Sequence, residues 1–153
     1  MTTIAWDGAT VAADSLVIGP SSIRSTAAQK LRVVGDTVYG MTGAFALFDP
    51  LVAWHRAGAV PDQFPNLYGE TDWTLIVIDG GDAVFYGPTP YPDASKAAPP
   101  QAWGSGWEVA MGALLAGKSA AEAVVIAMEV DLATGGKVRV VYPSDLRRKE
   151  AAE

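Results

Sequence analysis

Apolar and polar positions alternate in short runs through the first ninety or so positions, and apolar residues then recur every three or four positions toward the C-terminus. Alternation with a period of two predicts strands, and the longer period predicts helices. Thr3 to Trp6 and Thr10 to Asp14 read as a hairpin across Asp7-Gly8. Gly19-Pro20-Ser21-Ser22 is a small-residue loop. A second hairpin pairs Gln29–Val34 with Thr37–Met41 across Gly35-Asp36, and Thr42-Gly43-Ala44 leads out of it. Asp49-Pro50 predicts a helix start, with Asp as cap and Pro in the first turn. Leu51, Val52 and His55 share one face of that helix, which should end near Gly58 because Pro61 and Pro65 follow. Trp73–Ile78 and Ala83–Tyr86 form a third hairpin across Asp79-Gly80-Gly81. Residues 87–100 carry Pro88, Pro90, Pro92, Pro99 and Pro100 and read as a loop.

Two helices follow. Ser105 and Glu108 have capping-box spacing ahead of Ala110, Met111, Leu114 and Leu115, and Gly117 ends that helix. Ser119 and Glu122 repeat the spacing ahead of Val124, Val125, Met128 and Leu132, before Gly135-Gly136. Lys137–Tyr142 is the last strand. Antiparallel hairpins with helices grouped apart from them predict an α+β fold in which sheets lie between helical layers. Gly35, Gly40 and Gly43 make no dinucleotide fingerprint, because no helix opens at the right place.

The length of 153 residues fits one domain over 1–153, with a charged tail over 143–153. There is no cysteine and one histidine, His55, which excludes thiolate catalysis, disulfides and a multi-histidine metal site within one chain. No metal or cofactor is expected. A net charge of −6 argues against nucleic acid or an anionic membrane as partner. The one basic run, Leu146-Arg147-Arg148-Lys149, leads into Glu150 and Glu153 and reads as a solvated tail. No apolar stretch has transmembrane length, and no signal segment opens the chain, so a cytoplasmic location is expected. Half of the residues are apolar and five are Trp, which favours buried subunit contacts.

The candidate chemistry starts at Met1-Thr2-Thr3. Removing Met1 would place an α-amine and a hydroxyl on one residue, Thr2, so that the amine could serve as base for its own nucleophile. Thr3 is the fallback if trimming differs.

The fragments TTIAWDG, AADS, QKLRVV, YGMTGAF, WGSG and DLATGG, in that order, resemble the proteasome β-subunit and HslV family from Thr2 to about Tyr142. These are threonine peptidases of the N-terminal nucleophile hydrolase fold. The resemblance implies a four-layer α-β-β-α sandwich. Between Gly43 and Trp73 there is room for little more than one helix, so the first helical layer should be reduced. Residue by residue, it implies Thr2 as nucleophile and Asp14 as the carboxylate beside a catalytic lysine, Lys30. A cation near the terminal amine would lower that amine's proton affinity. Arg32 is the rival for that role. Gly43 would offer the oxyanion donor. Ser105 is either the serine beside the terminal amine or an ordinary helix cap, and Asp131 would orient it. Met41 would floor a substrate pocket walled by Val17, Ala28 and Phe45, which would take uncharged side chains. The resemblance further implies a peptide or unfolded-protein substrate, self-association into a ring or double ring, and an ATPase as a partner to be tested for. Two alternatives share the fold: an inactive structural or assembly protein, and a small-molecule amidase.

Overall fold

The computed structural model describes residues 2–143, apart from the side chains of Ala94 and Ser95; Met1 and the basic run of the tail lie outside the described residues. Strands β1 (Thr3–Trp6) and β2 (Val11–Ala13) form the first hairpin as expected. Asp7 closes its turn, its Oδ1 accepting the Ala9 N–H at 2.8 Å and the Thr10 N–H at 2.7 Å. After β2 come β3 (Val17–Ile18) and β4 (Ile23–Ser25), a two-stranded ribbon whose strands are joined by the expected loop over Gly19-Pro20-Ser21-Ser22. A five-stranded meander follows: β5 (Leu31–Val34), β6 (Thr37–Gly43), β7 (Trp73–Asp79), β8 (Asp82–Tyr86) and β9 (Pro92–Ala97). Strand β10 (Gln101–Gly104) then returns to the open edge of β1, and β11 (Arg139–Val141) adds to β2, giving a four-stranded sheet ordered β10-β1-β2-β11.

The predicted loop over 87–100 is therefore corrected in its middle, where Pro92–Ala97 is β9, an edge strand that opens with Pro92 as its first residue.

Strand parity assigns the layers. Ile4, Trp6, Val11 and Ala13 point from the four-stranded sheet onto Leu31, Val38, Ile76 and Ile78 of the five-stranded one, and this is the core between the sheets. The opposite face of β1, β2 and β10 presents Ala5, Ala12 and Ala102. These small residues let helices α2 (Trp107–Leu115) and α3 (Ala120–Met128) pack closely through Ala110, Ala113, Ala120, Ala123 and Ala127. The outer face of the five-stranded sheet, with Tyr39, Met41, Leu75, Val77 and Tyr86, is covered by α1 (Phe48–Arg56) through Phe48, Leu51 and Trp54. The result is a four-layer α-β-β-α sandwich whose first helical layer, among the described residues, is α1 with short 3-10 turns beside it.

Two of the three predicted helix starts differ. Helix α1 begins at Phe48, with Asp49 in its first turn and not capping it. Helix α2 has Gly106 as its N-cap and no side-chain cap, so the expected Ser105–Glu108 capping box is absent. At α3 the box forms: Ser119 Oγ accepts the Glu122 N–H, and Glu122 Oε1 accepts the Ser119 N–H, each at 3.2 Å.

Candidate active site

Thr2 lies just before β1, in register with the end of β10. Its carbonyl accepts the Ser105 N–H at 2.7 Å. Gly104 makes that approach possible: it has φ +100°, and a Cβ there would stand 1.7 Å from the Thr2 carbonyl oxygen. Thr2 is buried, and its Oγ1 has no hydrogen-bond partner among the described residues. Beside it is a cavity of about 240 Å³ lined by Thr2, Thr42, Gly43, Asp72, Gly104 and Ser105. Gly43 ends β6 opposite Trp73 with φ +87°, where a Cβ would meet the Asp72 carbonyl oxygen at 2.0 Å.

Beneath the terminus lies a buried ion pair. Lys30 Nζ donates to Asp14 Oδ1 and Oδ2 at 3.0 and 3.1 Å and to the Leu16 carbonyl at 2.7 Å, and neither paired side chain is exposed. Asp14 also accepts the N–H groups of Thr3 (3.0 Å), Gly135 (3.1 Å) and Leu16 (3.3 Å). One carboxylate thus ties β1, the end of β2 and the loop before β11 to the lysine. Burial pushes the Lys30 ammonium's pKa down, against the opposing pull of Asp14. Lys30 makes no hydrogen bond to the Thr2 hydroxyl. Arg32 is elsewhere: it pairs with Asp49 at 3.3 Å and stacks over the Phe48 ring on the α1 side.

A second network runs from Asp131. Its Oδ2 accepts Ser105 Oγ at 2.5 Å and Thr134 Oγ1 at 2.6 Å, and its Oδ1 accepts the Ala133 N–H at 3.0 Å. Burial acts to raise the pKa of this carboxyl, but the two hydroxyls and the N–H outweigh it and hold the group below the usual aspartate range. Proton accounting fixes the rest. Thr134 spends its proton on Asp131, so its oxygen accepts from Thr3 Oγ1 at 2.6 Å, and Thr3 Oγ1 in turn accepts the Gly106 N–H at 3.1 Å. The Thr3 hydroxyl is therefore committed on both sides, unlike that of Thr2. Ser105 resolves as a partner of Asp131 and Thr2, not as a cap of α2.

The six residues singled out for catalysis fall into three groups: Thr2 with Gly43 and Ser105 along the cavity, Asp14 with Lys30 beneath the strand start, and Asp131 behind Ser105. None of the four residues expected to line a substrate pocket lines this cavity. Met41 is wholly buried in the core under α1, and Ala28 lines another cavity with Ser15, Gln29 and Arg139. Val17 is half-buried in β3 and is not in the wall beside Thr2; nor is Phe45, whose ring centroid lies 5.6 Å from Lys30 Nζ. Thr42, Asp72 and Gly104 form that wall instead. The parity of β6 could have placed Met41 with Tyr39 on the helix face. Asp72 is found only once β6 pairs with β7.

No protein-family model matches the sequence, and no curated protein does. Solved structures share the fold. The BPH of Thiobacillus denitrificans in complex with epoxomicin superposes with a TM-score of 0.68 at 18% identity, covering 92% of this chain and 96% of that one. Eukaryotic HslV of Trypanosoma brucei gives 0.68 at 22% identity, covering 93% and 99%. A second structure of the Thiobacillus BPH gives 0.63 at 19%, covering 92% and 95%. At these identities the likeness shows the architecture alone.

Proposed function

We propose that a chain with this fold and this arrangement around its second residue is a threonine endopeptidase, acting through Thr2 once Met1 has been removed. The observation that carries the reading is the Thr2 hydroxyl, buried and unpartnered among the described residues beside a cavity, while the neighbouring Thr3 hydroxyl is fully engaged. In the proposed reaction the α-amine of Thr2 takes the hydroxyl proton, directly or through a water, as Oγ1 attacks the scissile carbonyl carbon. The Gly43 N–H supports the oxyanion. The tetrahedral species collapses to an ester on Thr2, and the α-ammonium hands its proton to the departing amine. A water, deprotonated by the same α-amine, then hydrolyses the ester. Lys30 acts through space, its charge keeping the α-amine unprotonated and favouring the developing alkoxide. Asp14 holds Lys30 and the Thr3 N–H, and Asp131 holds Ser105 against the Thr2 carbonyl.

An active site of this kind needs enclosure, and we propose a homo-oligomer of at least six chains with the Thr2 sites facing inward. The fold neighbours include a HslV and a protein bound to epoxomicin, which fits this reading. The alternative of an inactive assembly protein expects Met1 to stay attached and Lys30 and Asp14 to survive only as an ion pair, so the buried pair fits both readings and the state of Met1 separates them. Hydrolysis of fluorogenic peptides tests the proposal: turnover should vanish in Thr2→Ala and persist at a reduced rate in Thr2→Ser. Peptide turnover that survives Thr2→Ala would remove Thr2 as nucleophile. Turnover of small acylated amines but not peptides would favour the amidase. Sedimentation velocity tests the assembly, and a stable monomer at micromolar concentration would overturn it.

A further inference from the structure

The wall of the cavity beside Thr2 differs from the apolar pocket expected from the sequence. It holds two hydroxyl residues, Thr42 and Ser105, two glycines, and one charged residue, Asp72, with no large apolar side chain. Asp72 is fixed in place by its backbone. Its carbonyl accepts the Ala44 N–H at 3.1 Å and lies against Gly43 so closely that only glycine fits there. Its Cα is thus tied to the residue proposed as oxyanion donor. Among the described residues no lysine or arginine forms an ion pair with Asp72, and none lines the cavity. The site also lies in a protein of net charge −6, which favours approach of cationic ligands. A cavity of about 240 Å³ has room for a long side chain. The stem of such a side chain would lie on a surface more apolar than polar, and an ammonium or guanidinium at its end would be drawn to the one charged residue of the wall.

We infer that Asp72 sets the specificity of this site, which takes peptides presenting a lysine or arginine side chain next to the Thr2 hydroxyl. The inference names the substrate class for the proposed peptidase and rests on that reading for its catalytic sense, though the binding preference can be measured without turnover. A charge-assisted hydrogen bond of this kind corresponds to a preference of about 10- to 100-fold.

The test uses N-acetylated tripeptide amides ending in lysine, norleucine or glutamate, titrated into Thr2→Ala protein by calorimetry. The lysine peptide should bind at least about tenfold more tightly than the norleucine peptide, and the glutamate peptide most weakly. Asp72→Asn in the same background should erase the lysine preference and leave norleucine binding unchanged; thermal melting checks that this exposed replacement still folds. Equal binding of lysine and norleucine, a lysine preference that survives Asp72→Asn, or no binding by any of the three overturns the inference. Turnover of matching fluorogenic peptides by the protein with Thr2 intact separates the two readings. An Asp72-dependent binding preference without turnover would sink the peptidase and keep the cation site. Turnover indifferent to Asp72 would do the reverse.

Discussion

Replacing Lys30 by methionine removes the cation from the buried pair while keeping most of the side-chain volume. The Asp14 carboxylate would lose both contacts to Nζ but keep the N–H groups of Thr3, Leu16 and Gly135. The Leu16 carbonyl would lose its 2.7 Å donor. Breaking a buried pair by removing one partner costs about 3–5 kcal/mol, because the other charge stays out of water. Three remaining N–H donors put this case near the low end, about 3 kcal/mol. Asp14→Leu should cost more, since it takes the counter-charge from the buried ammonium and the acceptor from three backbone N–H groups together. In the double variant the ammonium is gone, so the loss should be smaller than the sum of the two single losses, and the difference measures the coupling. Urea denaturation at fixed protein concentration, followed by fluorescence and circular dichroism, gives the values if the two transitions coincide. Lys30→Met within about 0.5 kcal/mol of the parent, at unchanged m, would refute the reasoning, because that is the scale of a surface substitution. Additive single losses would refute the pairing itself.

Three further outcomes follow from particular contacts. Gly104→Ala places a Cβ against the Thr2 carbonyl at φ +100° and should cost on the order of 3 kcal/mol or more, whereas Gly112→Ala, with open space around it in α2, should gain roughly 0.5–1 kcal/mol; melting of the two variants side by side checks the contrast. Thr134→Val keeps the shape but leaves Thr3 Oγ1 without its acceptor and Asp131 with one hydroxyl fewer, and urea titration should show a loss of about 1–3 kcal/mol. His55, half-buried with its Nδ1 2.8 Å from the Tyr39 hydroxyl, has its pKa pushed down by burial against the opposing charge of Asp79. Its folded pKa is below the ordinary 6.5, so the unfolded chain binds the proton first. Stability should be full above that value and fall as the pH drops below it, and His55→Gln should flatten that part of a stability-versus-pH curve.

The hairpins β1–β2, β5–β6 and β7–β8 were legible because each joins two alternating runs across a glycine-bearing turn. Helix α3 was legible because its cap and its apolar period agree. Strands β9 and β10 were not, since their pairing depends on sheet edges that exist only in the folded chain, and prolines at 88–100 read locally as loop. Ser105 shows the same competition at the site. Its spacing to Glu108 is that of a cap, but pairing of Gly104 with Thr3 carries the strand to the edge of Ser105, and its N–H goes to the Thr2 carbonyl. The helix then starts one residue later, and the Ser105 hydroxyl turns to Asp131. The closeness of Asp14 and Lys30 was expected from the resemblance. That the lysine binds the aspartate and makes no hydrogen bond to the Thr2 hydroxyl was visible only in three dimensions. The wall of the cavity was missed for a similar reason, since Asp72 and Gly43 meet through strand pairing and not through any local pattern.

The central claim is that Thr2, as the first residue of the mature chain, carries the nucleophile. It is tested most directly by intact-mass measurement and peptide mapping of purified protein before and after treatment with epoxomicin. The account predicts a starting mass lacking Met1, then a gain of one inhibitor per chain, mapped to Thr2 and absent from Thr2→Ala. Fully trimmed protein that takes up no inhibitor, or takes it up on a residue other than Thr2, would contradict it.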